Sequence, residues 1–356
     1  MAIIPLYIGT TANGENGGIF LARFDTETGA ASDLTLAAAQ PGASFLAATS
    51  NGKVLFAVND GLVINGEKTG GLSAYAIDDN HALTLLNSAE MSGVLCHISL
   101  DNTEKWLLGA AYSRGTFSLW PVQADGSLGE LHRTVKHEGH SVDERRQKEA
   151  HPHQTITSPD NRSLCVADLG MDKVMIYPFD ATSGTLSTDD ATSAQLAPGA
   201  GPRHAVFHPS GNFLFVVNEL DNTVTAFRKN HNQYEAIQSI STVPEGFDGS
   251  TWTAEILLTP DGKFLYATNR GHHSIAVFGV DDDGALTLLQ IAATGRFPQH
   301  IAFSPCGKWL LSADRDEAAV SIFRINPDHG TLQQSGVLSD LPDGPMCVLF
   351  PAQSEI

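Results

Sequence analysis

The stretch Phe207–Phe215 (FHPSGNFLF) is one copy of a phrase that recurs along the chain. Leu258–Tyr266 (LTPDGKFLY) and Phe303–Leu311 (FSPCGKWLL) repeat it clearly, and Thr49–Phe56, Leu100–Leu108 and Thr157–Cys165 repeat it more weakly. With Gly52, Glu104, Asn161, Gly211, Gly262 and Gly307 as equivalent turn positions, the spacings are 52, 57, 50, 51 and 45 residues. A repeat of this length marks supersecondary units that must stack, or close into a ring, to bury their faces.

Each turn is followed by a β-branched or aromatic run such as Phe213–Val217 or Phe264–Thr268. A second run follows, such as Thr223–Arg228 or Ser274–Val280, and several repeats then carry a Gly-x-Leu turn. Period-2 character bounded by Gly, Asn and Asp reads as short strands, and no segment carries a sustained helical stripe. Six repeats are whole. Tyr7–Gly9 and Gly18–Phe24 lack a preceding strand, and Met346–Phe350 lacks a following one. Joined, these parts complete a seventh unit. The expected fold is all-β: a single domain over 1–356 forming a seven-bladed β-propeller. Its blades are four-stranded and antiparallel, and the two chain ends share one blade.

Composition narrows the partners. Forty acidic residues against 21 basic ones give a net charge of −19. Such a surface disfavours nucleic acid and anionic membranes, and an anionic substrate then needs locally clustered bases. Cys96, Cys165, Cys306 and Cys347 fall in different repeats and form no CxxC pair, as expected of reduced thiols in a cytoplasmic protein. The first residues lack the basic and apolar regions of a signal peptide. The expected assembly is a monomer or weak homo-oligomer.

Function is expected where the repeats disagree. Seven residues before each turn position stand Phe45, His97, Gln154, His204, Glu255 and His300; the preceding residues are Ser44, Cys96, His153, Arg203, Ala254 and Gln299. Eight residues after each turn stand Asp60, Tyr112, Leu169, Glu219, Arg270 and Arg315. In a propeller both sets open on one face of the central channel. His153, Arg203, His204, Glu219, Glu255, Arg270, His300 and Arg315 should therefore crowd one funnel, as a polar catalytic site requires. By contrast, Asp168, Asn218, Asn269 and Asp314 recur at one position and read as structural turn caps. His208 also reads as structural, and His272 and His273 as solvated. An insertion, Lys136–Ala150, interrupts the period; it carries Arg145 and Arg146 and is a candidate lid over the channel mouth. His151 and His153, with His137 and His140 nearby, leave a divalent metal as a minor alternative to a site with no cofactor.

The segments Glu144–Gln154 (ERRQKEAHPHQ), Val166–Val174, Gly201–Val224, Ala254–Phe278 and Phe297–Asp316 resemble the bacterial propeller-type 6-phosphogluconolactonases and their carboxymuconate-lactonizing relatives. Tyr7–Thr10 (YIGT) and Gly18–Gly29 fit that family's opening strands. Two departures are a longer loop at Gly61–Gly70 and the absence of a Pro-Asp-Gly turn at Asp101–Glu104. The resemblance implies catalytic roles for His153, Arg203, Glu219 and Arg270, the same four that inter-blade disagreement selects. His204, Glu255, His300, Arg315, Arg146 and Gln154 are the expected substrate-binding residues. The implied activity is hydrolysis of a sugar-acid lactone, most directly 6-phosphogluconolactone, with Glu219 or His153 as general base and the arginines holding the oxyanion. Alternatives are a non-phosphorylated aldono- or aldarolactone, a muconate-type cycloisomerisation, and a protein-binding scaffold without activity.

Overall fold

A computed structural model describes residues 3–351 apart from 12–16, 62, 65–66, 69, 92 and 232. Seven four-stranded antiparallel blades surround an axis. Blade 5 shows the plan, with strands Pro202–Phe207, Phe213–Asn218, Thr223–Asn230 and Gln233–Ser241 running outward from the axis. In blade 1 the innermost strand, Pro345–Leu349, pairs with Ile3–Thr10, with Ile8 opposite Val348 and Gly9 opposite Cys347. The chain ends therefore close the ring, as the half-repeats predict. In blade 4 the outer position is divided between Thr185–Leu186 and Thr192–Gln195. In the long loop at Gly61–Gly70 a two-stranded ladder joins Val63–Ile64 to Glu67–Lys68, and residues 62, 65–66 and 69 lie outside the described residues.

Blades bury both faces, so their second strands are buried along nearly their whole length and mostly apolar, rather than alternating with exposed polar residues. Leu214 packs toward blade 4, with Cys165 and Val174. Its neighbour Phe215 packs toward blade 6, with Leu265 and Phe278. Seven such clusters fill the seven inter-blade seams, the last joining Leu6 and Ile8 to Trp309 and Leu311. A buried apolar side chain contributes roughly 1.5–3 kcal/mol, so the ring is held by its seams and not by one central core.

The turn positions share one geometry. Gly52, Gly211, Gly262 and Gly307 have φ between 65° and 77°, and Glu104 and Asn161 adopt 58° and 57°. Each donates its amide to the carbonyl three residues earlier, as Gly211 does to His208 at 2.8 Å and Glu104 to Asp101 at 2.8 Å. The Pro-Asp-Gly phrase is therefore dispensable at Asp101–Glu104. There Asp101 Oδ1 accepts the amides of Lys105 and Trp106, both at 2.9 Å, and stabilises the turn by another route.

Candidate active site

Two backbone devices bring side chains to one mouth of the channel. The first is a bulge at the start of the inner strand. Pairing slips by one residue between Pro152 and Gln154, Pro202 and His204, and Pro298 and His300. The proline has no amide to lose at a strand start. The extra residue leaves the ladder, as bulged residues beside functional sites do. These extra residues are His153, Arg203 and Gln299, and all three line one cavity. The closing strand repeats the device between Pro345 and Cys347, which adds Met346.

The second device follows the second strand. The amide of Glu219 donates to Gly201 O at 2.7 Å, that of Arg270 to Trp252 O at 2.9 Å and that of Arg315 to Phe297 O at 3.0 Å. This clamps each residue beside the start of the inner strand. The polar residues one position earlier are buried latches, as expected. Asn218 donates to Thr223 and Thr225, and Asp314 accepts from Thr294, Ser312 and Ser321.

The cavity holds about 360 Å3 and is lined by His153, Arg203, His204, Glu219, Glu255, Arg270 and Arg146, among others. Glu219 is its electrostatic centre. Arg146 Nη2 donates to Oε1 at 2.7 Å, Arg270 Nη2 lies 3.0 Å from Oε2, and Arg203 Nε lies 3.3 Å from Oε2. Burial pushes the Glu219 carboxyl up, but the neighbouring cations Arg270 and Arg203 outweigh it and hold the group at about 2. Burial also lowers Arg270, to about 10, which leaves it cationic at neutral pH.

His153 is a different kind of group. It is buried, and its Nδ1 has no hydrogen-bond partner. Burial, then the Arg203 charge, press its pKa well below the usual histidine range, so the ring is neutral. Cys96 also lines the cavity, but burial pushes its thiol up to about 12, which leaves no thiolate nucleophile.

Below the cavity the equivalent inner-strand residues form a girdle across the axis. Phe45 packs on His97 with ring centres 4.5 Å apart and on His300 at 5.3 Å, and His97 meets His204 at 5.1 Å. A second cavity lies beyond, lined by His97, Gln154, Glu255 and His300. The expected binding set therefore divides. His204, Glu255 and Arg146 reach the upper cavity with the four catalytic candidates. Gln154 and His300 line the lower one, and Gln154 Oε1 accepts the Ala205 amide at 2.6 Å. Arg315 lines neither. Its guanidinium lies 3.7 Å from the Phe297 ring centre and 2.7 Å from Asp316 Oδ1, because a one-turn 3-10 helix at Arg315–Glu317 carries it aside.

The insertion is a pinned strap, which corrects its reading as a lid. His137 is buried, with Nδ1 at 2.6 Å from Asp168 Oδ2 and Nε2 at 2.7 Å from Tyr177 Oη. Gln147 donates to Leu169 O and Asp172 Oδ1, and Ser141 to Asp172 Oδ2. Asp143 caps the amides of Arg145 and Arg146, a turn that delivers the Arg146 side chain to Glu219. These fixed contacts also separate the histidines considered for metal. His151 stacks on Tyr112 at 4.2 Å, and among the described residues no group of three His, Cys, Asp or Glu is arranged to hold an ion. His273 is more than a solvated loop residue, since its Nδ1 lies 2.7 Å from Arg270 O and 3.2 Å from the Phe297 amide.

Sequence reasoning passed over Tyr112, whose hydroxyl lies 3.3 Å from Arg146 Nη2, and also Cys96, Gln299 and Met346. Tyr112 stands in the repeat column of Glu219 and Arg270, and the others in that of His153 and Arg203. The Pro-x pair that recurs before Gln154, His204, His300 and Cys347 was the available signal for four of the bulges; the one before Glu255 has no proline to mark it.

Residues 5–350 match the family model described as lactonase, 7-bladed beta-propeller. The chain belongs to this lactonase family. It is 33% identical to a 6-phosphogluconolactonase of Bacillus subtilis over 97% of both chains. A putative 6-phosphogluconolactonase from Bacteroides fragilis superposes with TM-score 0.86 at 31% identity, covering 98% of each chain. A periplasmic gluconolactonase of Pseudomonas aeruginosa superposes with TM-score 0.91 at 28% identity, covering 99% of this chain and all of that one. The protein is therefore a lactonase-family enzyme and not a scaffold without activity.

Proposed function

We propose that the protein hydrolyses a sugar-acid lactone, 6-phosphogluconolactone before its non-phosphorylated counterparts. One observation carries the mechanism: a neutral, unpaired imidazole at His153 beside a carboxylate gripped by three guanidiniums. Glu219 is a poor base, because both its oxygens are engaged and its pKa of about 2 removes the driving force for proton transfer. His153 is then the base. It takes a proton from water as the water oxygen bonds to the lactone carbonyl carbon. Arg203 and Arg270 hold the oxyanion that forms. The intermediate collapses, the ring C–O bond breaks, and the His153 imidazolium returns its proton to the leaving alkoxide. The new carboxylic acid ionises and releases one proton per turnover. Glu219 keeps the arginines oriented and offsets their charge. Arg146, half-exposed at the rim, takes the substrate's distal anion. The route draws on no cofactor.

A spectrophotometric assay with 6-phosphoglucono-, glucono- and muconolactone tests this reading. Preference for the phosphorylated lactone, with loss on Arg270→Ala, is expected. Turnover of muconolactone alone, or of none of the three, overturns it. We further propose a cytoplasmic location, which four free cysteines support, and a monomer or weak homo-oligomer. Recovery in another cell fraction would contradict that location.

A further inference from the structure

We infer that His204 and Glu255 are positioning residues that aim the Arg203 guanidinium at the reacting carbonyl. This rests on the reading in which Arg203 holds the oxyanion. His204 Nδ1 lies 2.8 Å from Glu255 Oε1, and both groups are buried. A carboxylate can only accept there, so Nδ1 carries the proton and Nε2 presents a lone pair. That lone pair faces Arg203 Nη1 at 3.4 Å. Guanidinium nitrogens only donate, so the same tautomer is selected from both sides. Arg203 Nη1 also donates to Ala254 O at 2.6 Å. Ala254 and Glu255 lie together in the bulge of blade 6, where pairing slips between Thr253 and Ile256. The Glu255 amide is held by Thr268 Oγ1 at 2.9 Å. One bulge therefore grips Arg203 twice, directly by a carbonyl and indirectly through His204. Without these contacts the partner left to Arg203 among the described residues is Glu219, whose Oε2 lies 3.3 Å from Nε without hydrogen-bond alignment. Burial, then the Arg203 charge, keep the His204 ring neutral, so it does not repel the guanidinium it orients.

The test is a double-mutant cycle of His204→Phe with Arg203→Lys, assayed on the preferred lactone. His204→Phe keeps the ring and removes both hydrogen bonds. Alone it should lower kcat about 10–100-fold with KM moved less than about threefold, somewhat less than losing an oxyanion donor outright. In the Arg203→Lys background it should cost less than about threefold, because residues acting through one another are not additive. His204→Gln, which retains a donor and an acceptor, should recover part of the loss. Should His204→Phe fail to fold, Glu255→Gln replaces it in the same cycle, with the same coupling to Arg203 expected. Equal losses in both backgrounds, or no loss in either, overturn the positioning role. Full activity of Arg203→Lys alone overturns the underlying site reading instead, and this proposal with it.

Discussion

The two ends of each blade obey opposite rules. At one end the six turn positions share a left-handed backbone and the same amide-to-carbonyl bond, even where Glu104 and Asn161 replace glycine. At the other end the equivalent girdle positions hold Phe45, His97, Gln154, His204, Glu255, His300 and Cys347. Repetition at the turns sets the ring, and the ring's symmetry brings the unlike residues to one axis. Chemistry then needs only local departures, a one-residue bulge and a side chain after the second strand. Substitutions at the mouth should strike activity and spare the fold, and substitutions at the turns should do the reverse.

The largest expected effect is at the mouth. Arg270→Ala removes a cation 3.0 Å from Glu219 Oε2 and a donor to the oxyanion. A fall in kcat/KM of at least about 100-fold is expected, with circular dichroism still reporting the β-rich ring. A variant that unfolds instead would show that the mouth also holds the blades together, and would erase the contrast between the two ends.

At the same mouth and of at least the same size, His153→Gln should cost about 100- to 10,000-fold as loss of a general base. The pH profile sharpens it. Since the folded-state pKa of His153 is pushed down, the neutral, working form persists as pH falls through 6.5. The acid limb of kcat/KM should therefore lie below pH 6.5 in the native protein, and should vanish in His153→Gln. A limb at or above 6.5 would mean either that the His153 ring is solvated or that another group is the base.

The fold was nearly all legible in the sequence because inter-blade seams impose apolar runs at a fixed period, and those runs need no knowledge of what they touch. The four central residues were legible for the same reason: departures from a repeat are visible only against it. Arg315 misled because its column is right while the 3-10 helix that turns it toward Phe297 is a local event. Gln154 and His300 occupy the right column too, but the girdle has two sides, and spacing cannot say which side a ring or amide takes. The strap misled because Asp168, Asp172 and Tyr177, which pin it, belong to blade 4 and carry no mark of that duty.

Arg146 gives a smaller effect that tests the strap. Its backbone is fixed while its side chain is partly exposed, so Arg146→Ala should leave kcat within about threefold. KM for the phosphorylated lactone should rise about tenfold, and KM for gluconolactone much less, in line with loss of one charge-assisted contact. A large loss of kcat instead would move Arg146 from the distal anion to the reacting centre.

The smallest effects belong to the turns, and they separate two costs that usually travel together. A Cβ at Gly211 meets nothing within 4 Å, so Gly211→Ala carries only the left-handed backbone penalty of roughly 1–2 kcal/mol. A Cβ at Gly262 would lie 2.2 Å from the His208 ring nitrogen at a similar φ of 77°. Gly262→Ala should therefore add the cost of moving that ring and melt at a lower temperature than Gly211→Ala. Both should keep the native kcat/KM, because His208 stands at the opposite end of its blade from Arg203 and Glu219. Equal melting temperatures would mean that the His208 ring yields freely and only the backbone counts. Lost activity in either variant would mean that strain at a turn travels along the blade to the mouth.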